Sequence, residues 1–446
     1  MKLLMVMSVI LFTVTSFGAT TKLDITKLRF PVQKKVLPNG LTVLLYEDHT
    51  VPTVSYHTWF RVGSKDEEPG YTGIAHLFEH MMFKGGKRFP GTEFEKMLQG
   101  NGISNNAFTN YDYTGYYEDL PSSKLKLVID FEADRLENLQ ISEENLKSER
   151  EVVKEERRMR VDNSINGVLN EAIWSTAFKV HPYKWPIIGW MKDLNAIDLE
   201  RCKKFFATYY SVSNAVIVVA GDHNSNQTMD LITKYYGHLP KVVVPKPALA
   251  QEPKQIEERK VTIKRSAQTE HVVIGYHISR QGEPDSFALD LLSNILSEGD
   301  SSRLYKRLVY NDQIATNVAG ASLTPQDPGL FEIFIELKPG VSHTKALAAL
   351  YDELNLVMKS KVKTSEIEKA RNQIMSHWVS SMKTVHGKAQ SLALNEIITG
   401  SFENAFDDLI KYEKVNALDI QRVAQKYFAP KNRTVIVLVP EKGKKP

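Results

Sequence analysis

Residues 195–222 read NAIDLERCKKFFATYYSVSNAVIVVAGD, a helical pattern that runs into an unbroken apolar stretch with the length and β-branched content of a buried strand. From Asn416 to Glu441 the chain reads NALDIQRVAQKYFAPKNRTVIVLVPE, the same helix and strand with a gap of three residues. Each copy closes a half of roughly equal length, so two copies of one unit is the economical organisation. Between them, residues 241–258 sit in a proline-rich run, LPKVVVPKPALAQEPKQIEE, that reads as a linker. The halves are then 30–240 and 259–441.

The rest of the composition agrees with a chain of about two to three domains. Of 446 residues, 42% are hydrophobic and 25% charged, as in ordinary globular proteins. A net charge of +4 with no basic patch interleaved with aromatics gives no case for nucleic acid. Cys202 is the single cysteine, which excludes an intrachain disulfide or a thiolate metal cluster; it reads as a small core residue. Met1–Ala19 has a positive start at Lys2, an apolar centre and a small-residue exit, the form of a signal peptide. The expectation is a periplasmic or secreted chain with no stable membrane anchor after cleavage.

Within the first half, KKVLPNGLTVLLYEDH reads as strand, turn and strand, and VPTVSYHTWFRVGS as a further strand. Next comes YTGIAHLFEHMMFKG, residues 71–85, with Ile74, Leu77, Phe78, Met81 and Met82 at helical spacing. His76 and His80 are four apart, so both imidazoles leave one face of that helix, with Glu79 beside them. Two neutral nitrogens on rigid backbone and a carboxylate near enough to take a proton from water suit a zinc hydrolase, and H-x-x-E-H occurs among zinc-peptidase motifs. Such a pentapeptide also arises by chance on a solvated face; a third ligand decides between the two.

A short helix ends near Gly100, and NAFTNYDYTGYYEDL reads as two strands around a tight turn. The extended residues Asn106, Ala107, Phe108 and Thr109 offer a backbone edge to a second extended peptide, although an ordinary hairpin fits as well. Helices are expected over Lys124–Asn138 and Glu143–Val161. In the latter, Glu149, Val152, Val153 and Glu156 share a stripe, and carboxylates facing inward beside valines need partners.

His76-x-x-Glu79-His80 with Glu156 lying 76 positions after His80 resembles the pitrilysin-like zinc peptidases, which include the mitochondrial processing peptidases and insulin-degrading enzymes. LPNGLTVLL, WFRVGSKDE, NAFTNYDYTGYY, HPYKWPIIGW and SSRLYKRL extend the resemblance over most of the chain. It implies an α+β fold of two homologous α/β-sandwich halves, each a mixed, largely antiparallel sheet with helices on one face, together forming half of a clam-shell chamber. It implies one Zn2+ per chain on His76, His80 and Glu156, with Glu79 as the base and Glu149 in a supporting role; Glu155 is the competing ligand, and spacing favours Glu156. Extended peptide is the implied substrate.

The second half lacks H-x-x-E-H, and its His271 and His277 have no accompanying carboxylate. Members of the family often carry an arginine and, seven positions later, a tyrosine after the SRLY stretch, to grip the substrate or the developing oxyanion. An ungapped match places Val309 and Thr316 there, and Arg303, Tyr305, Arg307 and Tyr310 are out of register. The resemblance therefore implies a heterodimer with a paralogous chain that supplies the Arg and Tyr, a homodimer being the alternative. A non-catalytic peptide-binding or assembly subunit with a structural zinc is the competing function.

Overall fold

The computed structural model describes residues 28–245 and 250–441, so the expected signal segment lies outside the described residues. The first sheet contains β1 (Gln33–Val36), β2 (Thr42–Glu47), β3 (Thr53–Phe60), β4 (Ser104–Thr109), β5 (Thr114–Pro121) and β6 (Ala215–Gly221) in the order β1-β2-β6-β3-β5-β4. The second contains β7 (Arg259–Arg265), β8 (His271–His277), β9 (Ala315–Leu323), β10 (Leu330–Leu337) and β11 (Arg433–Pro440) in the order β7-β11-β8-β10-β9. Among the described residues only β2–β6 and β7–β11 pair in parallel; every other pair is antiparallel. The fold is thus the expected α+β pair of mixed, largely antiparallel sheets.

The repeat read from Asn195 and Asn416 has a physical basis in two equivalent asparagines. Helix Leu199–Tyr209 leads into β6 and helix Ala417–Tyr427 into β11. Asn214 Nδ2 donates to the carbonyls of Tyr209 and Arg61, at 2.9 and 3.2 Å. Asn432 Nδ2 donates to those of Tyr427 and His277, at 2.8 and 2.9 Å. In each half one amide side chain ties the helix end to the neighbouring strand, satisfying a terminal carbonyl that the helix cannot.

Alternation along the strands divides each sheet into two apolar faces. In the first sheet Val54, Tyr56, Phe60 and Tyr116 pack on helices of their own half, with Leu77, Phe78, Val128 and Ile129. The opposite face, with Leu44, Trp59, Val216 and Val218, is covered by Ala389, Leu392 and Ala393 of helix Val385–Thr399, which belongs to the second half. The loan is returned: Leu169 and Ile173 of helix Ile165–Ala177 cover Val273, Leu330, Ile436 and Leu438 of the second sheet. Each sheet keeps its own helices on one face and receives a helix from the other half on the second, an exchange that the sequence pattern did not predict.

A polar knot fastens the same junction. Lys65 Nζ lies 2.8 Å from Asp112 and 3.3 Å from Asp327, Tyr183 donates its hydroxyl to Asp112 at 2.7 Å, and the Gln326 amide donates to Asp112 at 2.9 Å. Lys65 and Asp112 are both buried, so their charges are worth keeping only because each is paired.

Candidate metal centre

The motif helix, Ile74–Met81, starts at Gly73, whose φ of 93° is left-handed and favours glycine. A Cβ at Gly73 would meet Gly189 Cα at 2.9 Å, and Gly189 itself has φ 81°. The free amides of the first turn are satisfied by buried Glu67, which accepts from the Gly73 and Ala75 nitrogens at 2.9 Å each. Ile74, Leu77, Phe78 and Met81 are buried, and Phe78 stacks among Phe205, Phe206 and Tyr210. With that face fixed in the core, His76, Glu79 and His80 are turned toward the facing helix, Glu143–Arg157.

That second helix is capped by Ser142, which accepts from the Asn145 amide, and is anchored by buried Leu146, Val153 and Arg157. The Arg157 guanidinium donates to the Gly189 carbonyl at 2.8 Å and to Glu171 at 2.7 Å. The sequence expectation of one helix through Val161 is modified: α-helical bonding stops at Arg157 and the chain continues as a π-helical turn over Arg158–Asp162.

Glu156 Oε2 stands 3.6 Å from His76 Nε2 and 3.3 Å from His80 Nε2, and Glu79 Oε2 stands 4.0 Å from His76 Nε2. One ligand atom from each of His76, His80 and Glu156 can be drawn from a set lying within 4.8 Å of one another. His76 Nδ1 and Glu156 Oε2 are buried polar atoms that make no hydrogen bond. Two imidazoles and a carboxylate converging on one point, with an orphaned oxygen among them, fit a zinc ion. Glu155, the competing acid, is instead paired with Arg158 and mostly exposed.

The electrostatics agree. Burial pushes His76 down to about 4, with the neighbouring His80 adding to the effect. Burial also opposes charging of His80, but the Glu149 and Glu156 carboxylates on either side of the ring outweigh it and lift it to about 9. Glu156 is held below the usual carboxylate range, first by the His80 ring beside it. Glu79 is raised by burial, against the lowering effect of its bond from Thr109, as suits a proton acceptor working near neutrality.

These groups open onto a cleft of about 870 Å3. Asn106, Ala107, Phe108 and Thr109 line it from β4, the edge strand, which pairs only with β5 among the described residues. Opposite stand Val152, Met159, Trp174 and Ile187. Glu149 does not line the cleft; it lies behind His80, with Oε2 3.5 Å from Nδ1. Trp174 and Ile187 lie on helix Ile165–Ala177 and in the loop after it. Neither was singled out from sequence, because apolar residues on a helix carry no mark that separates a cleft wall from a core.

Val309 packs against the second core, and the Thr316 hydroxyl donates to the Glu336 carbonyl. Arg303 forms a two-pronged bond with Glu366, both contacts at 2.7 Å, and Arg307 pairs with Asp312 at 2.7 Å. None of these, nor Tyr305 or Tyr310, lines the cleft. His271 and His277 are likewise remote, His277 Nε2 bonding to the Ala177 carbonyl.

A second grouping, His57, Asp119 and His386, lies on the other face of the first sheet. Its own hydrogen bonds use it up. Trp59 Nε1 donates to His57 Nδ1 at 3.2 Å, so His57 Nε2 carries the hydrogen and donates to Ser55 Oγ at 2.9 Å; Ser55 donates to Asp119 at 2.6 Å. A ring with both nitrogens so engaged has no lone pair to spare for a cation.

Comparison with known proteins gives one consistent result. Residues 42–189 match the family model described as Insulinase (Peptidase family M16), and residues 196–374 that described as Peptidase M16 inactive domain. The chain is 30% identical to zinc protease PqqE of Helicobacter pylori, over 91% of this chain and 92% of that protein. It is 25% identical to a probable mitochondrial-processing peptidase subunit beta of Arabidopsis thaliana, over 91% of this chain and 77% of that one. A crystal structure of a protease from Helicobacter pylori superposes with a TM-score of 0.88 at 29% identity, covering 92% of this chain and all of that one (100%).

Proposed function

This chain belongs to the insulinase family, peptidase family M16, and on that premise we propose that it is an exported zinc endopeptidase acting on extended peptides or unfolded polypeptides. The observation that carries the reading is the meeting of His76 Nε2, His80 Nε2 and Glu156 Oε2 beside Glu79, at the mouth of a cleft walled by an unpaired strand edge. Export rests on the form of Met1–Ala19.

His76, His80 and Glu156 would hold the zinc ion, whose chemistry there is to activate water and polarise the peptide carbonyl. Peptide lies along Asn106–Thr109 by strand addition, its amides and carbonyls bonding to the free edge of β4. Glu79 accepts the proton of the attacking water and hands it to the leaving nitrogen. Thr109, bonded to Glu79 at 2.7 Å, holds that carboxylate toward the strand where the scissile bond would lie. Glu149 Oε2, 3.5 Å from His80 Nδ1, would favour a hydrogen on that nitrogen and so turn the Nε2 lone pair inward.

The developing oxyanion needs further donors, each worth ~2.7–4 kcal/mol. Val309 and Thr316 offer none, and Arg303 and Arg307 are already engaged. The reading therefore includes a paralogous chain that brings an arginine and a tyrosine to the cleft, with self-association as the alternative. The same two residues favour a second function, a peptide-holding subunit with a structural zinc. A peptide-hydrolysis assay of the chain with and without such a partner, with Glu79→Gln as control, tests the proposal. Hydrolysis that appears on adding the partner and vanishes with Glu79→Gln is expected; hydrolysis that survives Glu79→Gln eliminates the enzyme.

A further inference from the structure

Both acids of helix Glu143–Arg157 that face the histidines are held by their outer oxygens. Glu149 Oε1 lies 2.5 Å from Lys84 Nζ, and Glu156 Oε1 lies 2.9 Å from an Arg160 guanidinium nitrogen. The inner oxygens point at the rings: Glu149 Oε2 to His80 Nδ1 at 3.5 Å, Glu156 Oε2 to His80 Nε2 at 3.3 Å and His76 Nε2 at 3.6 Å. His80 is thus flanked by one carboxylate at each nitrogen, and each carboxylate has one cation behind it.

The backbone places both cations for this purpose. Lys84 ends the 3-10 turn Met82–Lys84 that follows the motif helix, one helical turn beyond His80, and it crosses to the acid of the other helix. Arg160 sits in the π-helical turn Arg158–Asp162, four residues beyond Glu156. Short π-helical segments gather at functional sites because they re-aim side chains over the preceding turn. Three other basic side chains at this end of the helix are used elsewhere: Arg157 by Glu171 and Gly189, Arg158 by Glu155, Lys154 by Glu151. Among the described residues Arg160 is the only lysine or arginine that lines the cleft, and its side chain is 71% exposed, so a fold-stabilising role for it is small.

We propose that Lys84 and Arg160 are positioning residues for the metal: each fixes the outer oxygen of one acid, so that Glu156 presents a single inner oxygen to the imidazole pair and Glu149 a single inner oxygen to the back of His80. A carboxylate free at both oxygens can rotate or chelate with both, whereas one pinned at Oε1 offers Oε2 alone. The cations also offset the mutual repulsion of Glu79, Glu149 and Glu156, gathered around two rings. The inference rests on the zinc reading above and goes beyond it, since nothing in the H-x-x-E-H pattern or the distal acid specifies a lysine or an arginine.

Zinc affinity of the full mature chain, measured by competition with a chromophoric chelator, tests it with Lys84→Met, Arg160→Met, Lys84→Arg, Arg160→Lys and His76→Ala. Each Met variant should bind zinc at least ~10-fold more weakly, the lower end for outer partners of metal ligands, and the conservative variants should recover most of that loss. The visible spectrum of the cobalt(II)-loaded chain should shift in the Met variants and return in the conservative ones. Should Lys84→Met fail to fold, the exposed Arg160 position carries the test alone. Zinc binding that His76→Ala leaves untouched would overturn the site itself; binding sensitive to His76→Ala but unchanged in both Met variants would overturn only the positioning role.

Discussion

Thr109 Oγ1 lies 2.7 Å from Glu79 Oε2 and donates its hydrogen to it, so the edge strand and the motif helix share one bond at the mouth of the cleft. A hydrogen bond to a charged group is worth about 1.5–3 kcal/mol, enough to select one rotamer of Glu79. Thr109→Val should lower kcat by roughly tenfold, with KM changed less and zinc content kept, while Thr109→Ser recovers activity. Steady-state hydrolysis of a fluorogenic peptide, with zinc analysis on the same samples, checks it.

Removing the acid from the opposite helix should act on the metal rather than on the proton. Glu156→Gln keeps the shape but weakens the ligand, and zinc affinity should fall by more than about 100-fold. Glu79→Gln, by contrast, should retain about one zinc per chain and lose activity by at least ~100-fold. Atomic absorption on dialysed protein separates the two; equal zinc loss in both variants would contradict the division of labour.

The left-handed pair Gly73 and Gly189 locks the start of the motif helix against the loop at Ile188. A Cβ at Gly189 would meet the Thr72 carbonyl oxygen at 2.2 Å, so backbone must move. Gly189→Ala is expected to cost about 2–3 kcal/mol or more, combining overpacking and a disfavoured φ. Urea unfolding would show it, and zinc affinity should fall with it because His76 lies three residues into the helix.

What was legible in the sequence follows from what is local. His76 and His80 are one helical turn apart, so spacing alone put them on one face, and the Asn195 and Asn416 copies announced two halves. Glu156, far along the chain, was reached through family resemblance, since a stripe of Glu149, Val153 and Glu156 does not say what it faces. Lys84 and Arg160 look like ordinary surface charges in MMFKG and EERRMRV, because the significance of each comes from an oxygen it touches. The π-helical turn was invisible for the same reason: composition in 158–162 is plainly helical. Least legible were the borrowed helices Ile165–Ala177 and Val385–Thr399, whose apolar stripes announce burial and not whose sheet they bury against.

A pH effect on stability is expected in the second half. Asp285 is drawn down to about 2: burial works against its charge, but bonds from Lys426, Tyr427 and Arg422, at 2.6, 2.7 and 2.6 Å, prevail. The folded group thus binds its proton less readily than the unfolded one, so its contribution is full above about pH 4 and fades as pH falls toward 2. Lys426 and Arg422 are about half exposed, and solvent screening reduces the contribution to about 1 kcal/mol. Asp285→Asn should lose that much in urea unfolding near pH 7 and converge on the parent only below about pH 2.

Because each sheet wears a helix grown from the opposite half, the two halves are braced like crossed arms. A hinge inside the chain would have to peel apart two apolar seams together, Ala389 and Leu392 from Trp59 and Val218, and Leu169 and Ile173 from Val273 and Ile436. One consequence follows for how the molecule behaves: a proteolytic nick in 241–258 should leave the pieces bound to one another.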